Sequence, residues 1–311
     1  MEVASVGTEP TRAPNDGFRA RRTALRWAAR AGWALLALLV IPMVQRVMSG
    51  DPEAVRVSAL AIAWCYWLAG LSGAVFARDA GATTTRVTAP IIVWASILIA
   101  ARGIALHDGV LIAFGIATTI GALALTSAPV LQSLVDAASY GSEARYPLRT
   151  PLVVGFLGLP LAWITVAVGT IIGPLLLADG SIVEGVASCL VGLPLAALSL
   201  RSVHTLSTRW LVLVPAGVVV RDQMILTDPI LIPRDHIARV TAATGEPIAD
   251  AIDLRLGAFI GTVRVTCTEP TEGMRVKASR RDTVPVDSDA FLVAPMLRSA
   301  FLAEYRARGA R

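Results

Sequence analysis

Apolar positions follow two different rhythms along this chain. Up to about residue 200 they form long, nearly unbroken runs. Beyond it they form short alternating stretches split by prolines, glycines and charges. Residues 57–77, 109–135 and 151–178 contain no charged side chain. A helix needs about 20 apolar residues to cross a hydrocarbon core of about 30 Å, so these runs predict membrane spans. The pattern predicts six of them, at about 31–49, 57–77, 87–106, 109–131, 151–177 and 181–200. Arg46 and Arg102 fall near the outer ends of the first and third, within snorkelling reach of the headgroups.

From Ser207 the period changes. Residues 210–214 and 218–220 flank Pro215-Ala216-Gly217, which predicts a hairpin. Residues 225–232 are interrupted at Asp228-Pro229, strands follow at 237–244 and 251–256, and 262–268 with 275–278 read as a strand pair across 269–273. Leu297, Phe301, Leu302 and Tyr305 then recur at helical spacing, with Pro295 suited to a first turn and Gly309 to a stop. The predicted fold is a membrane α-helical bundle of about six transmembrane helices followed by a β-rich domain closed by one helix. Its divisions are a disordered, Arg-rich cytoplasmic leader (1–26), a transmembrane helical domain (27–204) and a cytoplasmic β domain (205–311).

Composition strengthens the membrane reading: 55% of residues are hydrophobic and 16% charged, against roughly 25% charged in a soluble domain. Charge sets the orientation. Arg12, Arg19, Arg21, Arg22, Arg26 and Arg30 in the leader, with Arg78, Arg86, Arg145, Arg149, Arg201 and Arg209, fall on one side of a six-span arrangement. Only Arg46, Arg56 and Arg102 fall on the other. Positive loops stay inside, so both termini are expected in the cytoplasm and the chain in the cell (plasma) membrane. The leader resembles a signal-peptide n-region, but no small-x-small site follows residues 31–44, and this run is expected to remain as the first span.

Candidate chemistry is sparse. Gly158-Leu159-Pro160-Leu161-Ala162 repeats as Gly192-Leu193-Pro194-Leu195-Ala196. In the six-span arrangement both strings fall at similar depth, and Gly158, Pro160, Gly192 and Pro194 are helix-packing candidates. No Asp, Glu, Lys or His stands mid-span, which argues against a proton-coupled pump. Residues 132–150 form the longest internal loop, a docking surface or an ordinary solvated loop. Cys65, Cys189 and Cys267 show no metal or redox spacing, His107, His204 and His236 are far apart, and there is no HExxH, GxSxG or phosphate-cradling glycine loop. The sequence therefore predicts no enzyme and no cofactor. Arg275, Lys277, Arg280 and Arg281 form the densest basic cluster outside the leader and are the lipid-contact candidates. Basic and acidic groups nearly balance from residue 205 onward, which excludes nucleic acid as a partner by charge.

The segment Arg209-Trp210-Leu211-Val212-Leu213-Val214-Pro215-Ala216-Gly217-Val218-Val219-Val220-Arg221-Asp222 resembles the opening hairpin of bacterial pleckstrin-homology-like (PH-like) domains fused to membrane spans. The whole chain is similar in build to actinobacterial multi-pass membrane proteins with a C-terminal PH-like domain. That resemblance implies a binding or assembly module with no catalytic residues. The expected function is a non-enzymatic scaffold or regulatory subunit whose tail binds a membrane protein partner or anionic lipid, in addition to the bilayer itself. The alternative is a small solute transporter or channel, for which a polar cavity lined by Thr118, Thr165 and Thr170 would be the signature.

Overall fold

The structure, a computed structural model, describes residues 16–76, 79–244, 251–277 and 283–309. Seven helices build the bundle and the closing turn of its connections: α1 (Asp16–Val47), α2 (Glu53–Val75), α3 (Gly81–Ala105), α4 (Gly109–Leu125), α5 (Ala128–Asp136), α6 (Val154–Ala178) and α7 (Ile182–Ser207). Five are long and apolar enough to cross a membrane. The sixth candidate is the pair α4–α5, bent by 52°. Its break follows from Pro129, which removes a backbone donor and opposes helix at the residue before it. Helix α6 contains two π-turns, at Val154–Gly158 and Val168–Ile172, each just ahead of a proline, Pro160 and Pro174. The wider turn accommodates a carbonyl that the proline ring cannot approach.

Contacts at the helix ends show that the chain runs from one end of the bundle to the other six times. Arg30 on α1 donates to the carbonyls of Ala74 and Val75 at the end of α2. At the opposite end, Arg46 Nε lies 2.6 Å from Asp108 Oδ2 in the turn between α3 and α4. That bond holds the Asp108 carboxyl below its ordinary value, so the turn is ion-paired. Helix α4 returns, and Arg22 Nε meets Asp136 Oδ2 at 2.8 Å where α5 ends. Helices α6 and α7 make the last pair of crossings. Between the helices Trp33, Leu36, Val40, Ala89, Ala122 and Leu125 form a core. The bundle's outer surface exposes large apolar side chains, among them Leu38, Leu98, Ile120, Phe156, Val183 and Leu190.

The tail contains two four-stranded sheets. The first has the order β1-β2-β3-β4 and is antiparallel throughout: β1 (Ala144–Pro147), β2 (Trp210–Val214), β3 (Gly217–Arg221) and β4 (Ile230–Pro233). The second has the order β5-β7-β8-β6, from β5 (Ile237–Ala242), β6 (Ile252–Asp253), β7 (Val263–Lys277) and β8 (Thr283–Val293). Helix α8 (Arg298–Gly309) closes the core between them, with Phe301 and Leu302 packed against Leu211, Leu213, Val218, Val265 and Phe291. The expected β2–β3 hairpin is present. Gly217 has φ +155°, and a Cβ there would stand 2.0 Å from the Ile232 carbonyl oxygen, so only glycine fits.

Four expectations are corrected. The expected pairing of 262–268 with 275–278 is not formed: residues 263–268 and 275–277 belong to the single strand β7, which pairs with β5 on one side and β8 on the other, and residue 278 lies outside the described residues. The turn-like residues between them are absorbed as irregularities between Thr266, Thr271 and Met274, where Pro and Gly are tolerated. Pro295 does not start the last helix; it bridges to Leu148. Residues 132–150 are not a solvated loop: they supply most of α5 and all of β1, and Ala144, Tyr146 and Leu148 lie in the tail core. The boundary expected at residue 205 falls inside α7.

Candidate functional site

The junction between bundle and tail collects the chain's buried charges. Arg22 belongs to the buried face of α1, in helical register with Ala29, Trp33, Leu36, Val40 and Met43. That face continues beyond the bundle core and delivers the guanidinium to α8, where Arg22 Nη1 donates to Glu304 Oε2 at 2.7 Å. Glu304 Oε2 also accepts from Tyr146 Oη on β1 at 2.6 Å, and Oε1 accepts from Arg308 one turn along α8 at 2.7 Å. Asp136, the last residue of α5, pairs with Arg22 and accepts the Arg145 backbone N–H at 2.9 Å. Arg308 extends the network to the Leu213 carbonyl on β2. Elements distant in sequence are thus tied through one carboxylate. Burial raises the Glu304 carboxyl, but the bonds from Arg22 and Tyr146, the Arg22 charge and the Arg308 bond together hold it below its ordinary 4.5. Burial and the adjacent Glu304 charge push the Tyr146 phenol well up, so it stays a donor.

A second cluster lies where α3, α6 and α7 meet the tail. Arg209 makes a two-point bond with Asp222, at 2.8 and 2.7 Å, and both side chains are buried. Arg209 also donates to the Arg149 carbonyl. Arg86, on α3, donates to Ser207 Oγ at 3.1 Å and to the Leu206 carbonyl at 3.4 Å. Beside it, Trp210 is held between the guanidiniums of Arg145 and Arg221, each 4.8 Å from the ring centroid.

The residues singled out from sequence are placed elsewhere. Arg275 and Lys277 take register positions opposite Pro285 and Thr283. These lie about 45 Å of strand path from Val263, at the usual rise per residue. Arg280 and Arg281 lie outside the described residues. Gly158 ends the first π-turn of α6, and Pro160 opens the α-helical turn after it. Gly192 packs on Gly169, where a Cβ would stand 2.5 Å from the Gly169 Cα, and Pro194 lies inside α7. The α6–α7 register is set by Gly169 against Gly192 and by Thr165 Oγ1, 2.6 Å from Ser199 Oγ. It places residues 192–196 opposite the second half of α6, whereas residues 158–162 stand near its tail-side start. The two strings are therefore at different depths, not similar ones, because antiparallel neighbours match equal heights, not equal sequences.

The threonines named for a transport path do not converge. Thr118 is fully buried in α4, Thr165 bonds Ser199 and the Ala162 carbonyl, and Thr170 bonds the Val166 carbonyl and Tyr66 Oη. Thr170 borders a hollow of ≈ 530 Å³ with walls largely of Ala, Val, Leu and Ile side chains. Among the described residues, no three His, Cys, Asp or Glu side chains gather as a metal site would require. Sequence reasoning missed the junction. Its one available signal was Tyr146, an aromatic in a segment otherwise read as loop. No family model, no curated protein and no solved structure matches this chain.

Proposed function

We propose that this chain is a multi-pass plasma-membrane scaffold or regulatory subunit, non-enzymatic, with both termini in the cytoplasm. Its tail, a PH-like domain, binds a partner membrane protein or anionic lipid. The exposed apolar belt of the bundle supports the membrane setting, since soluble monomers rarely leave contiguous apolar area on this scale. Two packed sheets closed by a C-terminal helix support the PH-like reading.

The observation that carries the proposal is the wiring of tail to bundle. Strand β1 comes from between two bundle helices, and Arg22 joins α1 to Glu304 of α8 through a buried ion pair. A domain built this way is not a loosely tethered reader. Force or occupancy at the tail is felt by the helices, as a scaffold or regulatory subunit requires.

The tail also offers a firm contact surface. Arg255 is buried, bonds Asp253 and Thr262, and stacks on Phe259 at 5.3 Å. It holds a tip on which Leu256, Phe259 and Ile260 are exposed, and Leu256 keeps a left-handed backbone, φ +54°. Affinity purification of the full chain in mild detergent is the test. A membrane protein should co-purify, and Ile260→Asp should reduce its recovery while the chain's own melting temperature holds. A chain that always purifies alone and moves a solute into liposomes would overturn the reading in favour of a transporter or channel.

A further inference from the structure

A hollow of ≈ 350 Å³ opens at the tail-side end of the bundle, between α3, α4, α5 and α6. Its wall is apolar where it meets the bundle surface: Pro90, Val93, Trp94, Leu123 and Trp163 line it. Trp94 and Leu123 are themselves exposed, so the hollow is reached from the side of the bundle. At its inner end lie Met296 of the tail and one charged side chain, Arg86.

Arg86 is 7% exposed, and no carboxylate among the described residues stands within ion-pair distance of it. Its acceptors are all neutral: Ser207 Oγ, the Leu206 carbonyl and, at 3.7 Å, the weakly accepting Met296 sulfur. The neighbouring Arg209 is itself paired with Asp222. Arg149, next to the lining residue Thr150, likewise has no acidic partner, and its buried Nε has no acceptor. Uncompensated guanidinium charge is thus buried beside an apolar hollow that opens toward the bundle's flank. A buried cation without a counter-charge is costly, and basic pockets between membrane helices on the cytoplasmic side are suited to anionic headgroups.

We propose that this hollow seats one anionic phospholipid. The phosphate takes the place of Arg86's missing counter-charge, and an acyl chain runs along Trp94 and Leu123. A free phosphate ion would satisfy the charge alone, leaving the apolar wall without an occupant; a lipid satisfies both. The guanidinium fork matches phosphate oxygens in geometry as well as charge. This site is separate from Arg275 and Lys277 of β7. The inference rests on the membrane setting proposed above.

The test uses the full chain. Membranes are first washed with alkaline carbonate: release of the protein would defeat the membrane setting itself, whereas retention leaves that setting intact whatever follows. The protein in mild detergent is then titrated with phosphatidylglycerol or phosphatidylcholine and read by native mass spectrometry. Wild type should retain phosphatidylglycerol roughly tenfold better, the scale of a charge-assisted hydrogen bond. Arg86→Gln should erase that preference, and Arg86→Lys should keep part of it. Should Arg86→Gln fail to fold, Thr126→Trp fills the hollow from its rim without touching Arg86's partners, and should lower retention of phosphatidylglycerol. The proposal is overturned if wild type shows no preference, if folded Arg86→Gln or Thr126→Trp retains phosphatidylglycerol as wild type does, or if glycerol phosphate displaces the lipid at equal concentration, which would mark a small-anion site.

Discussion

Glu304 is fully buried and still charged because three donors from three elements reach it: Arg22 from α1, Tyr146 from β1 and Arg308 from its own helix. A neutral glutamine in its place must turn an amide N–H toward one of those donors. Glu304→Gln is therefore expected to cost about 2 kcal/mol at pH 7, the range for hydrogen bonds to a charged group. The cost should also depend on pH. Because the folded chain holds the Glu304 carboxyl below 4.5, it binds that proton less readily than the unfolded chain does. The stabilisation is complete above the unfolded value and is lost as pH falls through the depressed one. Thermal unfolding of wild type and Glu304→Gln in detergent, run from pH 7 down to pH 3, should show the gap between them closing in acid. A gap that stays constant would mean the carboxylate's charge is not what the network uses.

At the scale of elements, β2 explains how the junction is held. Its sequence Trp-Leu-Val-Leu-Val shows no polar alternation, and the structure gives the reason. Leu211 and Leu213 face the tail core, while Trp210 and Val212 pack with Ala82 of α3 and Val135 of α5. A strand covered on both faces reads as a continuous apolar run. Leu211→Ala and Trp210→Ala should each cost about 3–4 kcal/mol, but in different places. Hydrogen exchange should rise in β7 and β8 for the first, and in α5 and the start of α3 for the second. Identical exchange patterns would show that the two faces are not separate contacts. The β2–β3 hairpin was legible because Pro-Ala-Gly forces a turn, and α2, α3, α6, α7 and the apolar second half of α1 because nothing else accommodates such long apolar runs; residues 16–26, expected as part of a disordered leader, are instead the helical start of α1. Strand β1 was not. Ala-Arg-Tyr-Pro has no strand pattern of its own and is extended only because β2 pairs with it. The continuity of β7 was hidden by Pro270 and Gly273, which look like a turn and sit in bulges instead. The ionic junction was hidden for a deeper reason: its members lie as far apart as residues 22 and 304, and no local pattern couples them.

At the scale of the whole molecule, the same ion pairs decide how often the chain passes along the bundle. Were α4 and α5 a detour that turned back, the tail would emerge at the end marked by Arg46 and Asp108, far from Arg22. Instead Arg22 meets both Asp136 and Glu304, so the bent pair completes a passage and the start of α1 shares an end with the tail. The arginines gathered at that end serve two purposes. Several face outward and would supply the positive-inside bias of the proposed orientation, whereas Arg22, Arg86 and Arg209 are buried in the protein and build the junction. In the proposed orientation, sidedness and internal wiring draw on one set of charges, and a reversed chain would carry the buried junction across together with its surface arginines. A reporter active only outside the cytoplasm is expected to give no signal when fused after Arg311. The same reporter inserted at Asp179, in the turn between α6 and α7 at the opposite end, should give a strong one. Signal from the first fusion and silence from the second would overturn the orientation while leaving the six passages in place; signal from both would mean that one passage does not cross.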